Sequence, residues 1–394
     1  MAEADGRGRV TRRRVFFVSG FDPNGPRRYH ALYRAEAARQ GGIDGNPIEV
    51  GPLRLSPGAA RWSVSREGAE AAFEMLRWDD IARSRMRRPL PALYILMART
   101  FAAYVFTGAF FRLCRLRLVS TLVGLYPPLM MLLYLAGACL AGALVHGAAA
   151  GLGAPLWLSA PCGAATAWGV MRFSKRADGA TLVYYLMADL GFTADHAAGR
   201  APEMEARIDA FAHRIGEAMA EDWDEVLLVG HSSGAAYAAS AAARALSAAR
   251  PGAALSLLTL GQTIPMLSFL PGAKRLRAEL AALAAEPRLD WVDVSSPADG
   301  GCYALSDAAA VSGGPPGRNP KVISARFADG LAPETRRALR GRWFRKHIQY
   351  LCAFERPAGF DYFAVTAGPE RLGPCFAGRR DSPRADRRNR FGAG

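Results

Sequence analysis

Val226-Leu227-Leu228-Val229-Gly230-His231-Ser232-Ser233-Gly234, followed by the Ala-rich run Ala235 to Ala249, decides the fold of this chain. Four apolar residues with two valines have the length and composition of a buried parallel strand. Ala235 to Ala249 is almost pure helix former. The segment therefore reads as strand, sharp turn, helix, with Gly-x-Ser-x-Gly at the turn. The two glycines are needed because a Cβ at either flank would collide with the adjoining strand and helix. Such a turn lifts the Ser232 hydroxyl to the carboxyl edge of a sheet. It also places the Ser233 N–H at a helix N-terminus, where it can donate to a developing oxyanion. The bland alternative is a tight turn with a structural serine.

A nucleophilic serine needs a base, and the base needs an orienting carboxylate. Six histidines are present, and in the chain order Ser, acid, His only His347 lies after both partners. Its alternative is a surface histidine on a basic helix. The acid is expected after a strand between these two points. Leu289 to Val294 is that strand, and Ser295 to Gly301 is the loop leaving it. Asp299 sits in the loop beside two glycines; Asp293, inside the strand, is the second candidate. An oxyanion donor is expected where an early strand ends, which points to the N–H of Phe21 after Arg14 to Val18, with Gly20 allowing close approach. Gln262, at the end of strand Ala254–Leu260, reads either as pocket lining or as a structural turn.

With these residues the chain resembles the α/β-hydrolase superfamily, over roughly residues 12–90 and 180–367. The resemblance implies a mostly parallel sheet flanked by helices and acyl transfer through a serine ester. Ser232 would be the nucleophile, His347 the base and Asp299 the acid. The early loop departs from the superfamily pattern: Ser19-Gly20-Phe21 stands where a His-Gly pair is often found. A closer resemblance, to uncharacterised bacterial hydrolase-like membrane proteins, rests on His347-Ile348-Gln349-Tyr350 and Asp361-Tyr362-Phe363 and implies no activity.

The second strong feature is a gap in the charges. From Leu118 to Met171, 54 residues, there is no Asp, Glu, Lys or Arg. That is room for two spans of about 20 residues each and a turn. The expected transmembrane hairpin occupies 118–172, with spans near 119–145 and 153–171, and Pro127-Pro128 kinking the first. Arg112, Arg115 and Arg117 precede it, and Arg172, Lys175 and Arg176 follow it. The positive-inside rule puts both flanks in the cytoplasm, so both halves of the sheet share a compartment. Residues 91–117 are expected as an interfacial amphipathic helix or a cap over the site.

At 394 residues, 51% hydrophobic, the chain holds one large α/β domain plus this insertion. The formal charge of +15 is concentrated partly at the ends. Residues 1–11 and 368–394 read as disordered basic segments that solvate or attract anionic headgroups. No nucleic-acid-binding module accompanies the charge, so no nucleic-acid partner is expected. No apolar signal-peptide core stands at the N-terminus, so none is expected to be cleaved. The six cysteines lack metal spacing, and no cofactor motif is present. Around the motifs, Arg61–Ser65 is expected as a strand, Glu67–Trp78, Glu203–Ala220 and Leu267–Ala285 as helices, Pro333–Tyr350 as a helix in two pieces, and Phe360–Val365 as a terminal strand.

The expected protein is a multi-pass inner-membrane serine hydrolase with its catalytic domain in the cytoplasm. Its partners would be the lipid bilayer and an apolar acyl ester, with no cofactor. Alternatives are an acyltransferase using the same three residues and a non-catalytic membrane scaffold of the same fold.

Overall fold

The computed structural model describes residues 9–356 and 360–392. Its strands are β1 (Arg12–Val18), β2 (Glu49–Val50), β3 (Arg54–Ser56), β4 (Ala59–Arg66), β5 (Ala69–Leu76), β6 (Glu225–His231), β7 (Leu255–Leu260), β8 (Leu289–Ser295) and β9 (Lys321–Ser324). They form one sheet in the order β2-β4-β5-β1-β6-β7-β8-β9, with β3 on β4. From β5 through β1 to β9 every pairing is parallel; β2, β3 and β4 pair antiparallel. The protein is thus α/β, with a mostly parallel mixed sheet.

Strand alternation divides the core into two layers. Phe16, Val18, Leu228 and Leu257 pack against helices Pro202–Ala220, Gly234–Ala248 and Lys274–Ala285. Val15, Phe17, Leu227, Val229 and Leu258 face the opposite layer, with Tyr33 of helix Pro26–Asp44 and Phe363. Both faces are covered, which is why these strands read as continuous apolar runs. The chain moves to one side of β1 for β5 and to the other for β6. Ligands of open parallel sheets bind beyond the strand carboxyl ends at such a switch.

Several local expectations need correction. Glu67–Trp78 is not a helix: Glu67 and Gly68 take positive φ (52° and 79°) and turn β4 back into β5. Two residues of that hand match the twist of a hairpin. Phe360–Val365 is not a strand, because the Asp361 carboxylate accepts the Phe363 and Ala364 N–H groups and caps helix Tyr362–Ala367. Leu267–Ala285 is interrupted at Pro271-Gly272, leaving helices Ile264–Ser268 and Lys274–Ala285.

The basic C-terminal segment also differs from expectation; of the expected basic N-terminus, residues 1–8 lie outside the described residues, as do 393–394. Arg13 and Arg14 are buried in β1, where Arg13 pairs with Glu225 at 2.6 Å and Arg14 with Glu74. The 368–392 segment packs on the domain. Arg387 bridges Asp307 and Asp381, and Phe391 lies under the guanidinium groups of Arg112 and Arg277. Carboxylates distant in sequence hold these arginines, and a reading of local composition does not see them.

Helix Ala109–Gly151 is long and apolar enough to cross a membrane, the only single helix among the described residues that is. It breaks at Arg117, whose backbone leaves helical geometry and whose guanidinium donates to Pro297 O at 2.7 Å. Helix Leu156–Arg176 packs back along it. At their crossing a Cβ on Gly142 would lie 2.7 Å from Gly163 O, and one on Gly163 the same distance from Gly142 O. Helix Leu90–Phe106 packs against helix Ala109–Gly151 and against Val183–Ala197, and Arg99 reaches Asp195 at 3.1 Å. Arg85, Arg88 and Arg200 bond the same Asp195 carboxylate.

Candidate active site

β6 ends in a turn that sets Ser232 at φ +58°, a left-handed conformation unusual for a residue with a Cβ. That strain costs of order 1–3 kcal/mol and persists only where the surroundings enforce it. Here the Ser232 N–H is tied to Leu260 O at the end of β7 (3.0 Å). A Cβ on Gly230 would lie 2.7 Å from Ala235 Cα, and one on Gly234 only 2.2 Å from Ser19 O. Both glycines are therefore required by close approach, as the pattern implied.

The three residues expected to act together meet. Ser232 Oγ lies 2.8 Å from His347 Nε2, and His347 Nδ1 lies 2.8 Å from Asp299 Oδ2. The carboxylate holds the imidazole proton on Nδ1, which leaves the Nε2 lone pair for the serine hydroxyl. Asp299 also accepts the Gly301 N–H at 2.8 Å and the Tyr350 O–H at 3.1 Å. Burial works against its charge, but the imidazole, with the Gly301 N–H, outweighs it and leaves its carboxyl at about 2. Burial likewise disfavours the charged form of His347, yet the facing Asp299 raises its pKa above the ordinary value. Glycines 300 and 301 admit the rings: a Cβ on Gly301 would sit 3.0 Å from His347 Nδ1.

Asp293, the second candidate acid, does not touch His347. It is fully buried, accepts the Thr259 hydroxyl at 2.6 Å, and lies 3.3 Å from Ser295 Oγ. Burial with only neutral partners pushes its carboxyl up to about 7. Gln262 resolves to its structural alternative and does not line the cleft. Its amide donates to Ser306 Oγ at 3.0 Å and its carbonyl accepts the Ile264 N–H at 2.8 Å, which consumes the side chain in a turn.

The oxyanion side holds one difference. Phe21 N–H stands beside the elbow as expected, but it donates to Ser233 Oγ at 3.0 Å. The Ser233 N–H opens helix Gly234–Ala248, in the first turn, where no intrahelical acceptor exists. The Phe21 loop is held on two other sides: Trp78 Nε1 donates to Ser19 O at 2.9 Å, and the Tyr185 hydroxyl donates to Phe21 O.

A cleft of about 180 Å³ opens onto Ser232 and His347. Val123, Gly124 and Pro127 of the long apolar helix form one wall, and Tyr185, Leu186 and Asp189 form another. A second, nearly wholly apolar cavity adjoins it, sharing Gly124, Leu190, Met266 and Tyr303 and extending to Met97, Phe101 and Leu113.

Sequence reasoning missed several residues of this site. His231 Nε2–H donates to His347 O at 3.0 Å and anchors that helix end. Burial, with His347 beside it, depresses its own pKa to about 3, so it stays neutral. Tyr350 links Asp299 to the Ser296 N–H (2.9 Å). It follows His347 by three residues, and that spacing was a usable signal. Asp189 was also missed; it is the lone charge between Asp178 and Asp195.

Comparison with known proteins returns no match, whether by family model, curated sequence or solved structure. The site is therefore read from its own geometry.

Proposed function

We propose that this chain is a membrane-anchored serine hydrolase of the α/β-hydrolase type, cleaving a carboxylic ester of a lipid or other apolar acyl substrate. The observation that carries the reading is the relay Ser232 Oγ to His347 Nε2 to Asp299, with both links at 2.8 Å, on a serine held at positive φ. His347 Nε2 takes the Ser232 proton as Oγ attacks the ester carbonyl. The tetrahedral oxyanion rests on the Ser233 N–H, and on the Phe21 N–H once that group exchanges Ser233 Oγ for substrate. The imidazolium then protonates the departing alkoxide, and the carbonyl re-forms as an acyl-Ser232 ester. Water, deprotonated by His347, attacks that ester; its proton passes to Ser232, and the carboxylic acid leaves. Asp299 remains ionised throughout and stabilises the imidazolium.

The apolar cavity beside the cleft supports the acyl preference, since it offers an alkyl chain a dry path away from Ser232. Helices Ala109–Gly151 and Leu156–Arg176 would form a two-span inner-membrane hairpin, with the catalytic domain on the cytoplasmic side. Leu132, Leu133, Leu140, Leu144, Trp157 and Trp168 on them are exposed, an apolar patch that suits lipid better than water. Since the same long helix walls the cleft, a substrate could arrive from the bilayer.

Labelling of the membrane fraction with a fluorophosphonate probe tests the reading. Wild type should label; Ser232→Ala and His347→Ala should not. A folded wild type that does not label would refute it.

A further inference from the structure

Helix Val183–Ala197 carries a single charge into the cleft, Asp189. Its Oδ1 is sealed from solvent and unpartnered, while the residue is only half-buried and lines the cleft, so its other oxygen is the one a ligand can meet. Four buried carboxylates among the described residues are partnered: Asp195 by four arginines, Asp299 by three donors, Asp293 by two hydroxyls and Asp307 by a helix N-terminus; Glu279 also has a sealed oxygen, but its other one bonds Arg244. Leaving a buried oxygen unsatisfied is unfavourable, so a purely structural role does not explain Asp189. Burial pushes its carboxyl up to about 7, against the pull of His347 and the Ser233 hydroxyl that face it.

The rest of the cleft narrows what this acceptor can meet. Asp22, the second carboxylate of the lining, is already bonded to Arg28 and Asn24. No lysine or arginine lines the cleft among the described residues, in a chain that has 50 of them. Phosphate or carboxylate groups would find no cation there to balance their charge. A neutral donor finds one unused acceptor within a mostly apolar enclosure.

Resting on the serine-hydrolase reading, we propose that Asp189 accepts a hydrogen bond from a hydroxyl carried by the substrate beside its scissile ester. The preferred substrates are then neutral, hydroxyl-bearing acyl esters rather than plain alkyl or anionic ones. That hydroxyl could belong to the alcohol part or to the acyl part of the ester.

The test compares kcat/KM of the full-length, detergent-solubilised protein on three esters of one chain length. These are methyl dodecanoate, glycerol monododecanoate and methyl 3-hydroxydodecanoate. Wild type should favour at least one of the two hydroxyl esters over methyl dodecanoate by about 10- to 100-fold, the range for a hydrogen bond to a charged group. Which one it favours identifies where the hydroxyl resides. In Asp189→Leu the preference should fall within about threefold of unity. Because that variant removes an unsatisfied carboxyl, its melting temperature should hold or rise. Asp189→Asn, which keeps an acceptor oxygen, should retain part of the preference. No preference in a wild type that labels with fluorophosphonate would overturn the role of Asp189 alone, as would an equal loss on all three esters in Asp189→Leu. A wild type that neither labels nor hydrolyses any ester would overturn the hydrolase reading and this proposal with it.

Discussion

Gly234→Ala should cripple the site without touching any reacting atom. The added Cβ would lie 2.2 Å from Ser19 O, 2.6 Å from Val18 O and 2.7 Å from Ser19 C, all of them backbone. Ordinary contact requires roughly 3.5 Å, so the elbow and the β1 loop must separate by about 1 Å. β1 cannot recede freely, because parallel ladders to β5 and β6 hold it on both sides. Overpacking of this kind costs about 1–3 kcal/mol, and the upper end is expected where no side chain can rotate away. The same displacement moves Ser232 and the Ser233 N–H relative to Phe21. A misplacement near 1 Å lowers rates by about 100-fold. The assay is the second-order rate of fluorophosphonate labelling, read beside a thermal melt. Gly216→Ala is the control: that glycine is inside helix Pro202–Ala220 with nothing within 4 Å of an added Cβ, so it should label normally and gain about 0.5–1 kcal/mol. Wild-type labelling and an unchanged melt in Gly234→Ala would refute the argument from close approach.

Other expectations follow from the same geometry. Asp299→Asn should lower labelling by about 10⁴-fold by stabilising the wrong tautomer of His347, whereas Asp293→Asn should label within about twofold of wild type; the reverse ranking would make Asp293 the acid. Tyr350→Phe removes a donor to Asp299 and the acceptor of the Ser296 N–H, so labelling should fall about 10-fold and stability by about 1–3 kcal/mol, checked by rate and denaturant melt. Labelling requires neutral His347, so its rate should rise with pH through the raised His347 pKa, and Asp299→Asn should move that midpoint to lower pH; an unchanged midpoint in Asp299→Asn would contradict the assignment. The linked stability has the opposite sense for the two groups. The His347 contribution is complete below about 6.5 and is lost as pH rises through the higher folded value, while that of Asp299 is present above its ordinary carboxyl range and is lost as pH falls toward about 2. Leu133→Arg with Leu140→Arg places charges on exposed apolar helix positions, at about 2.5–3.5 kcal/mol each within a bilayer, and should release protein from washed membranes; unchanged retention would argue against insertion.

Local stereochemistry made part of this protein legible in its sequence. Val226 to Gly234 encodes strand, turn and helix within nine residues, because strand packing, a forced left-handed serine and helix propensity each act over one or two residues. Chain order then singled out His347, and two glycines after β8 singled out Asp299. The charge gap from Leu118 to Met171 marked the long apolar helix for an equally local reason, since an uncharged run of that length is read residue by residue. Tertiary structure decided the rest. Glu67-Gly68 became a hairpin because β5 had β1 to pair with. Gln262 was consumed by Ser306, 44 residues away, and Arg13 and Arg387 found carboxylates far along the chain. The Phe21 N–H met Ser233 Oγ across 212 residues. Asp189 is one of two aspartates in helix Val183–Ala197, and packing turns it, not Asp195, into the cleft with Ser232. These outcomes depend on which surfaces the sheet brings together, and nearest-neighbour chemistry carries no record of that.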